Sequence, residues 1–225
     1  NYHWYAANSF FILKQEVNCM ANILHIDSSP RGDRSHSRTF TGEFITAWKS
    51  AYPSDNVTYR DIGHSPVPHV DESWIAASFT PPEKHTPELT AALEISNDLI
   101  DELIAADRYV LGVPMYNFGI PSTFKAYIDQ VARAGRTFAV TENGYEGLLK
   151  NKKALIITAR GGSYPAGTPM AELDFQEPYI RAILNFMGIT DISFIHADNL
   201  NMGNDARQQS LAAARNAIQT IVDTW

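Results

Sequence analysis

The sequence predicts an α/β domain built on a doubly wound, five-stranded parallel sheet with the strand order 2-1-3-4-5 and helices on both faces. Apolar runs of strand length alternate with segments of helical periodicity, which is typical of a parallel sheet covered on both sides. The 225 residues and 44% hydrophobic content suffice for one domain with a sizeable core. The single cysteine, Cys19, excludes an intramolecular disulfide framework and every CxxC metal or redox motif.

The strands and helices follow from their apolar patterns in chain order. The five predicted strands are Asn22–Ile26, Val57–Asp61, Arg108–Val113, Lys153–Ala159 and Ile192–Ala197. The main predicted helices, each with an apolar face, are Ser37–Ala51, Pro87–Ala106, Pro121–Ala134, Phe175–Met187 and Asp205–Thr224. Pro121 suits the first position of its helix, because the N–H group that proline lacks has no helical partner there. Residues 137–147 predict a small hairpin that turns at Asn143-Gly144.

Two segments lie outside this regular alternation. Residues 65–87 are rich in proline with one short helix near Asp71–Ser78, and they form either a surface excursion or part of a pocket. Residues 1–19 lack the features of a secretory signal, whereas Met20 is followed directly by a strand. We expect 20–225 to be the domain and 1–19 to be an extension, either translated upstream sequence or a genuine short arm. Mass spectrometry of the native protein distinguishes the two.

Charge and composition exclude several classes of partner. The formal net charge of -7 and the pI of about 5.4 argue against nonspecific binding to nucleic acid, which requires a basic surface. No apolar run approaches the roughly 18 residues that a membrane span needs. No metal is expected, because His25, His36, His64, His69, His85 and His196 show no HxxxH or HExxH spacing. One cysteine agrees with a cytoplasmic location.

Ligands of a doubly wound sheet bind beyond the carboxyl ends of its strands, near the switch between the first and third. After the first strand, several serines crowd the start of a helix, where free N–H groups bind phosphate, and Arg31, Arg34 and Arg38 add positive charge. A phosphate site is favoured there over ordinary helix capping. The loop lacks both the P-loop and the GxGxxG fingerprint.

The loops after the third and fourth strands carry aromatic and glycine residues. Tyr116 and Phe118 suit a flat heteroaromatic ligand, or are core residues under a loop. Gly161 and Gly162 permit close backbone approach, or simply make a turn, and Arg160 could stabilise negative charge. A single ligand would account for all three loops if it had a phosphate for the first, a flat ring for the second and a polar ring edge for the third. Flavin mononucleotide (FMN) in a flavodoxin-like sheet is such a ligand.

The sequence resembles the FMN-dependent NADH-azoreductases, a branch of the flavodoxin-like NAD(P)H quinone reductases. The matching segments run in family order from about Met20 to the C-terminus, whereas residues 1–19 have no counterpart. They are "SSPRGDRSHSR", "PMYNFGIPSTFKAYID", "ARAGRTF", "TENGYEGLL", "ARGGSY" and "FMGITDISFIHAD". "PMYNF" together with "TENGxEG" is specific, and the serine loop alone is not.

The resemblance implies residue roles. The FMN phosphate would be held by Ser29, Ser35, His36 and Ser37, and the isoalloxazine would be lined by Met115, Tyr116, Asn117 and Phe118. The other side of the ring would be contacted by Ala159, Arg160, Gly161 and Gly162, with backbone contacts only at Ala159, where the family usually has Ser. The substrate pocket would involve Phe186, which reaches the partner's pocket, Val140, where some members have Tyr, and Tyr145, which covers the pocket or is a plain surface residue.

The resemblance also implies a homodimer with two FMN sites at its interface and ping-pong, two-electron transfer. NADH or NADPH reduces the flavin, and a quinone or azo compound takes the electrons. The cofactor carries this chemistry, so no catalytic acid–base pair is expected. The alternative is a flavin-binding electron carrier or redox sensor without its own turnover. A hydrolase is disfavoured, because no nucleophile–base pair or metal set supports it.

Overall fold

The computed structural model describes residues 20–225, and the extension predicted at 1–19 lies outside this range. The strands are β1 (Asn22–Asp27), β2 (Asn56–Asp61), β3 (Arg108–Pro114), β4 (Phe138–Thr141), β5 (Gly144–Gly147), β6 (Lys153–Ala159) and β7 (Asp191–Ala197). The α-helices are α1 (His36–Ala51), α2 (Glu72–Phe79), α3 (Pro87–Ala92), α4 (Glu94–Ala105), α5 (Ser122–Val131), α6 (Glu177–Phe186) and α7 (Asn204–Val222).

The central sheet has the order β2-β1-β3-β6-β7, and every adjacent pair is parallel. Because β4 and β5 pair only with each other, this order is the predicted 2-1-3-4-5 when the strands of the main sheet are counted alone. The predicted fold class is therefore confirmed. The switch between β1 and β3 places the carboxyl ends of these two strands side by side, where a ligand is expected.

Alternate side chains of each central strand enter two separate cores, because successive residues of a strand point to opposite faces. On one face, Val110 of β3 and Leu155 of β6 pack with apolar residues of α1 and α7. On the other, Leu111 and Ile156 pack with α4, α5 and α6. Both faces are covered, which explains why β3 and β6 are almost continuously apolar.

The helix predicted over Pro87–Ala106 is two helices, because α3 ends and α4 begins at Leu93. The amide of Leu93 bonds back to the carbonyl of Thr90 at 3.2 Å, and its own carbonyl accepts from Asn97 N at 2.8 Å. α3 contacts α2, whereas α4 packs against α5 and β1, so the two helices have different partners. The acids Asp98 and Asp101 of α4 lie at the surface, and Asp101 is ion-paired to Arg136.

Three predicted details differ in the structure. Pro121 is the residue before α5 and has an extended conformation (ψ 146°), so it is not the first helical residue. α5 ends at Val131, whose carbonyl accepts from the buried Thr137 hydroxyl at 2.7 Å. In the hairpin Thr141 pairs with Gly144, so the turn residues are 142 and 143 rather than 143 and 144. The Thr141 hydroxyl fixes this turn, accepting from Asn143 N at 3.2 Å.

The proline-rich stretch 65–87 folds onto the body of the domain. Val67 and Ala77 are buried, and the Gln130 side chain donates to the carbonyl of Pro68 at 2.9 Å. None of the helices within residues 20–225 combines the length and the apolar character that a bilayer crossing requires.

Candidate functional site

A cavity of about 320 Å³ opens at the carboxyl edge of the sheet, at the predicted switch point. Four loops contribute to its lining, namely those that follow β1, β3, β6 and β7. The lining residues are Ser29, Arg31, Ser35, His36, Pro114, Met115, Tyr116, Ala159, Arg160, Gly161, Leu200, Asn201 and Arg207. Eight of the twelve residues predicted to bind the cofactor are therefore brought together in one place. Of the other four, Ser37, Asn117 and Gly162 lie next to lining residues in the chain, and Phe118 lies two residues after Tyr116.

The serine loop after β1 presents hydroxyl groups at the start of α1. Ser35 is the N-cap residue of this helix, and its side chain accepts from the amide of Arg38. The hydroxyl of Ser37 lies 3.1 Å from that of Ser35 and is fully buried behind it. Ser29 is also buried in the loop, where its hydroxyl accepts from Arg31 N at 3.3 Å. Ser35 thus caps α1 and also lines the cavity, and Ser29 lines it as well.

The three arginines that the sequence places near this loop have different environments. Arg31 lines the cavity, whereas the guanidinium of Arg38 is turned behind the loop and ion-paired with Asp61. Arg38 also donates to the carbonyl of Ser29 at 2.7 Å, so it supports the loop from outside the cavity. Arg34 is exposed and is not part of the cavity lining. Only one of the three is therefore positioned to face an anion.

His36, the first residue of α1, lies in a positive environment. Its Nε2 atom is 3.1 Å from a guanidinium nitrogen of Arg207, which reaches it from α7. Partial burial lowers the pKa of His36, and the positive charges of Arg207, Arg31 and Arg215 lower it further. These surroundings disfavour a charge on the imidazole, and the positive charges of Arg31 and Arg207, which both line the cavity, are available to an anion there.

The aromatic turn after β3 is a tight two-residue turn closed by Tyr116 and Gly119. Each of these residues donates its N–H to the other's carbonyl at 3.0 Å. The two central residues, Asn117 and Phe118, have positive φ angles of 49° and 68°. A bulky side chain in this region is an outlier that is enriched at functional sites. The rings of Tyr116 and Phe118 are exposed, so the alternative that they are core residues is wrong.

The loop after β6 departs from the expectation that Arg160 offers free positive charge. Its guanidinium is buried and makes hydrogen-bonded ion pairs with Asp198, at 2.6 and 2.9 Å, and with Asp174, at 2.9 Å. Because two carboxylates already neutralise it, Arg160 organises the loop rather than supplying charge. Asp174 in turn accepts from the amides that begin α6, including that of Glu177 at 3.1 Å.

Sequence reasoning missed the fourth loop, which joins β7 to α7. The amides of Asn199, Leu200 and Asn201 donate to the carbonyls of residues 162, 160 and 161, at 3.1, 3.1 and 3.0 Å. These bonds hold the loop against the glycines that follow β6. The available signal was positional, because "NLNMGNDAR" follows the carboxyl end of a strand in the same sheet, where ligands bind.

Four backbone N–H groups at the cavity rim donate no hydrogen bond to any part of the chain between residues 20 and 225. They belong to Asn117 and Phe118 in the aromatic turn and to Gly161 and Gly162 in the loop after β6. Asn117 and Phe118 are exposed and the two glycines are partly exposed, so a ligand in the cavity can reach these donors. These four groups are therefore available to the polar edge of a ligand.

The residues predicted for the substrate pocket form a separate cluster. The ring of Phe186, at the end of α6, lies 5.4 Å from that of Tyr145 and 4.6 Å from that of Phe138 on the hairpin. Val140 pairs with Tyr145 across β4 and β5, and both side chains are about 70% exposed. None of these residues lines the cavity of the single chain, and neither does any residue of the 65–87 stretch. Within the described range, no group of three or more potential ligands is arranged for a metal.

Comparison with known proteins identifies the family. A sequence profile described as "Flavodoxin-like fold" matches residues 21–222. The chain is 68% identical over 207 residues to FMN-dependent NADH:quinone oxidoreductase 2 of Trichormus variabilis, covering 92% of this chain and all of the relative. It is 49% identical over 202 residues to the FMN-dependent NADH:quinone oxidoreductase of Azotobacter vinelandii, covering 90% of this chain and all of that relative.

Solved structures give the same result. An azoreductase from Bacillus anthracis superimposes with a TM-score of 0.85 at 26% identity, covering 92% of this chain and all of that one. An FMN-dependent NADH-azoreductase from the same species, in complex with FMN, gives a TM-score of 0.79 at 25% identity, covering 89% of this chain and 99% of that one. The chain belongs to the family of FMN-dependent NADH:quinone oxidoreductases and azoreductases, which has the flavodoxin-like fold.

Proposed function

We propose that this protein is an FMN-dependent NADH:quinone oxidoreductase that also reduces azo compounds, with FMN bound in the cavity at the β1–β3 switch. The observation that carries the proposal is that the two ends of this cavity differ in chemistry. One end has hydroxyls, a helix start and the guanidinium groups of Arg31 and Arg207, and the other has exposed aromatic rings beside backbone N–H groups that have no partner within residues 20–225. The polar, positively charged end matches the phosphate of FMN, and the aromatic end matches its ring. Relatives at up to 68% identity are named FMN-dependent NADH:quinone oxidoreductases.

The residues of the cavity fit the cofactor at its phosphate end. Ser29 and Ser35 would donate hydroxyl hydrogen bonds to the phosphate, and His36 would add its imidazole at the start of α1. Ser37 would act through Ser35, because its hydroxyl is buried 3.1 Å behind it. The backbone of Gly63 packs closely against the serine loop, because a Cβ atom on Gly63 would lie 2.3 Å from the carbonyl oxygen of Ser29. That packing fixes the loop in the conformation that lines the cavity.

The ring end fits equally. Met115 and Tyr116 line the cavity, and Asn117 and Phe118 form the tip of the turn beside it. Ala159 and the glycines after it would contact the ring through their backbones. The free N–H groups of the turn and the glycines would donate to the ring's polar edge and stabilise negative charge that develops there, as an oxyanion hole does. Removing one such donor in other enzymes costs on the order of 3 kcal/mol.

When bound, FMN supplies the two-electron chemistry, accepting hydride equivalents from NADH or NADPH and passing them to the acceptor. The chain's own task is to orient the ring and to leave one face open for both substrates in turn. The hydrophobic cluster of Phe186, Val140 and Tyr145 does not line the cavity of its own chain. We therefore propose a homodimer in which this cluster completes the substrate pocket of the partner.

An absorbance spectrum tests the proposal. The purified protein, loaded with FMN, is followed without air before and after NADH is added, and then after a quinone is added. We expect the flavin bands to bleach when NADH is added and to return when the quinone is added. With both substrates in excess, we expect the cycle to repeat until one of them is consumed. Reduction without reoxidation by any quinone or azo dye would favour an electron carrier or redox sensor instead. A protein that neither binds FMN nor allows its reduction would refute the assignment.

A further inference from the structure

Two guanidinium groups at the cavity lack the carboxylate partners that neighbouring arginines have. Arg38, Arg160 and Arg215 are each ion-paired with an aspartate or glutamate. Arg31 and Arg207 line the cavity, and within residues 20–225 neither has a carboxylate within the 4.0 Å that defines an ion pair. An acidic chain with a net charge of -7 thus keeps two unneutralised arginines at one cavity. This arrangement indicates a site for an anion.

Arg207 is held toward the cavity by a neutral partner. Its guanidinium has only donors, so the 3.1 Å contact requires His36 Nε2 to accept, with the imidazole proton on Nδ1. In this arrangement the ring is uncharged, which agrees with the lowered pKa of His36. A carboxylate in the same position would fix the arginine and also cancel its charge. His36 fixes the arginine and leaves its full positive charge available.

The backbone around Arg207 is also fixed relative to the cavity. α7 begins after Gly203, which has a φ angle of 98°, and the amide of Arg207 donates to the carbonyl of Gly203 at 3.1 Å. The preceding loop is bonded to residues 160–162 through three amides. Arg207 is thereby tied to the same loop that would contact the flavin ring. The backbone position of Arg207 therefore depends on the strand and loop framework of the cavity.

We infer that Arg207, positioned by His36, binds the phosphate of the flavin and makes this cavity select FMN over unphosphorylated riboflavin. The inference rests on the proposed function. A phosphate monoester carries roughly -1.5 to -2 charges at neutral pH, whereas hydroxyls and a helix start offer only partial positive charge. A guanidinium can bind two phosphate oxygens at once and keeps its charge at every accessible pH. Together with Arg31, Arg207 supplies the full positive charge that the hydroxyls and the helix start do not.

The test compares two ligands that differ only in the phosphate. Flavin-free protein is titrated with FMN and with riboflavin, and the dissociation constant is measured from flavin fluorescence. We expect Arg207→Gln to weaken FMN binding on the order of 10- to 100-fold and to leave riboflavin binding unchanged. The matched control is Arg215→Gln on the same helix, which removes a guanidinium paired with Glu43 and outside the cavity lining. It should leave both dissociation constants unchanged.

The positioning role of His36 has its own test. His36→Gln keeps an acceptor for the guanidinium, whereas His36→Leu removes it. We expect the first to retain most of the preference for FMN over riboflavin and the second to lose much of it. Equal loss in both variants would overturn the positioning role, because an acceptor would then not be what matters.

The outcomes separate the two proposals. If the parent protein binds FMN and NADH reduces it, but Arg207→Gln binds FMN as tightly or weakens both flavins equally, only the inference on Arg207 fails. If the parent protein binds no FMN, the proposed function fails and the inference fails with it. Should Arg207→Gln not fold, Arg207→Lys keeps the charge without the planar fork. A partial, FMN-specific loss in that variant supports the inference, and no loss or an equal loss for riboflavin overturns it.

Discussion

Gly112 of β3 leaves the space that the carboxylate of Asp27 on β1 occupies. The two residues are paired in register, and a Cβ atom at 112 would lie 2.2 Å from Asp27 Oδ1. That carboxylate is buried and accepts from Thr41 at 2.9 Å and from Tyr59 at 3.1 Å. The buried, hydrogen-bonded position of the Asp27 carboxylate therefore requires that residue 112 of the neighbouring strand has no side chain.

Gly112→Ala should destabilise the protein by roughly 1 to 3 kcal/mol, because the buried carboxylate and its partners must move to admit the methyl group. The free energy of unfolding in denaturant measures the effect. Gly42→Ala is the control, because a Cβ atom at 42 in α1 meets nothing within 4 Å and alanine favours the helix. Equal stability of the two variants would show that Asp27 is not confined in this way.

Phe118 has a φ angle of 68°, so its backbone conformation favours glycine. Phe118→Ala and Phe118→Gly both remove the ring, and they differ at this position mainly in the left-handed backbone. We expect the glycine variant to be more stable than the alanine variant by about 1 kcal/mol. The comparison uses thermal or denaturant unfolding of both proteins without cofactor. A more stable alanine variant would contradict the left-handed conformation of the turn.

Gly161→Ala should weaken FMN binding by displacing the loop after β7. A Cβ atom at 161 would lie 2.7 Å from the side-chain amide of Asn201, which lines the same cavity. The double variant Gly161→Ala with Asn201→Ala removes that amide and should recover part of the affinity, which a double-mutant cycle on FMN dissociation constants detects. Strict additivity of the two changes would show that the residues do not compete for space.

Asp61→Asn should reduce stability in a manner that depends on pH. Burial alone would raise the pKa of Asp61, but hydrogen bonds from Arg38 and His64 outweigh it and hold the pKa well below its ordinary value of 3.8. A depressed folded-state pKa contributes stability that is complete above 3.8 and is lost as the pH falls below it. We expect a deficit of roughly 1 to 2 kcal/mol at pH 7.

The pH series checks the sign of that prediction. The difference in unfolding free energy between Asp61→Asn and the parent should shrink as the pH falls through about 4. Adding Arg38→Gln to the variant should cost less at pH 7 than Arg38→Gln costs in the parent, because the ion pair is already broken and only contacts such as that with the Ser29 carbonyl remain to be lost. A deficit that stays constant from pH 7 to pH 3 would assign the effect to packing rather than to charge.

Local patterns were sufficient to predict most of the fold. The apolar strands and the positions of α1 and α7 are properties of contiguous residues, and period and propensity describe them well. The break at Leu93 was not predictable in this way, because the apolar period continues through it from Leu89 to Leu99. What separates α3 from α4 is the partner that each helix packs against, and those partners are distant in the chain.

The sequence by itself determined the fold class and the switch point, because both follow from strand order, and its resemblance to a known family added eight of the cavity's lining residues. Only the tertiary structure decided which charges are free. Arg160 is neutralised by Asp174 and Asp198, whereas Arg207 is held by a neutral His36 that lies 171 residues earlier. A side chain's charge acts on a ligand according to what else lies within a few ångströms, and that neighbourhood is assembled from segments that sequence spacing does not connect.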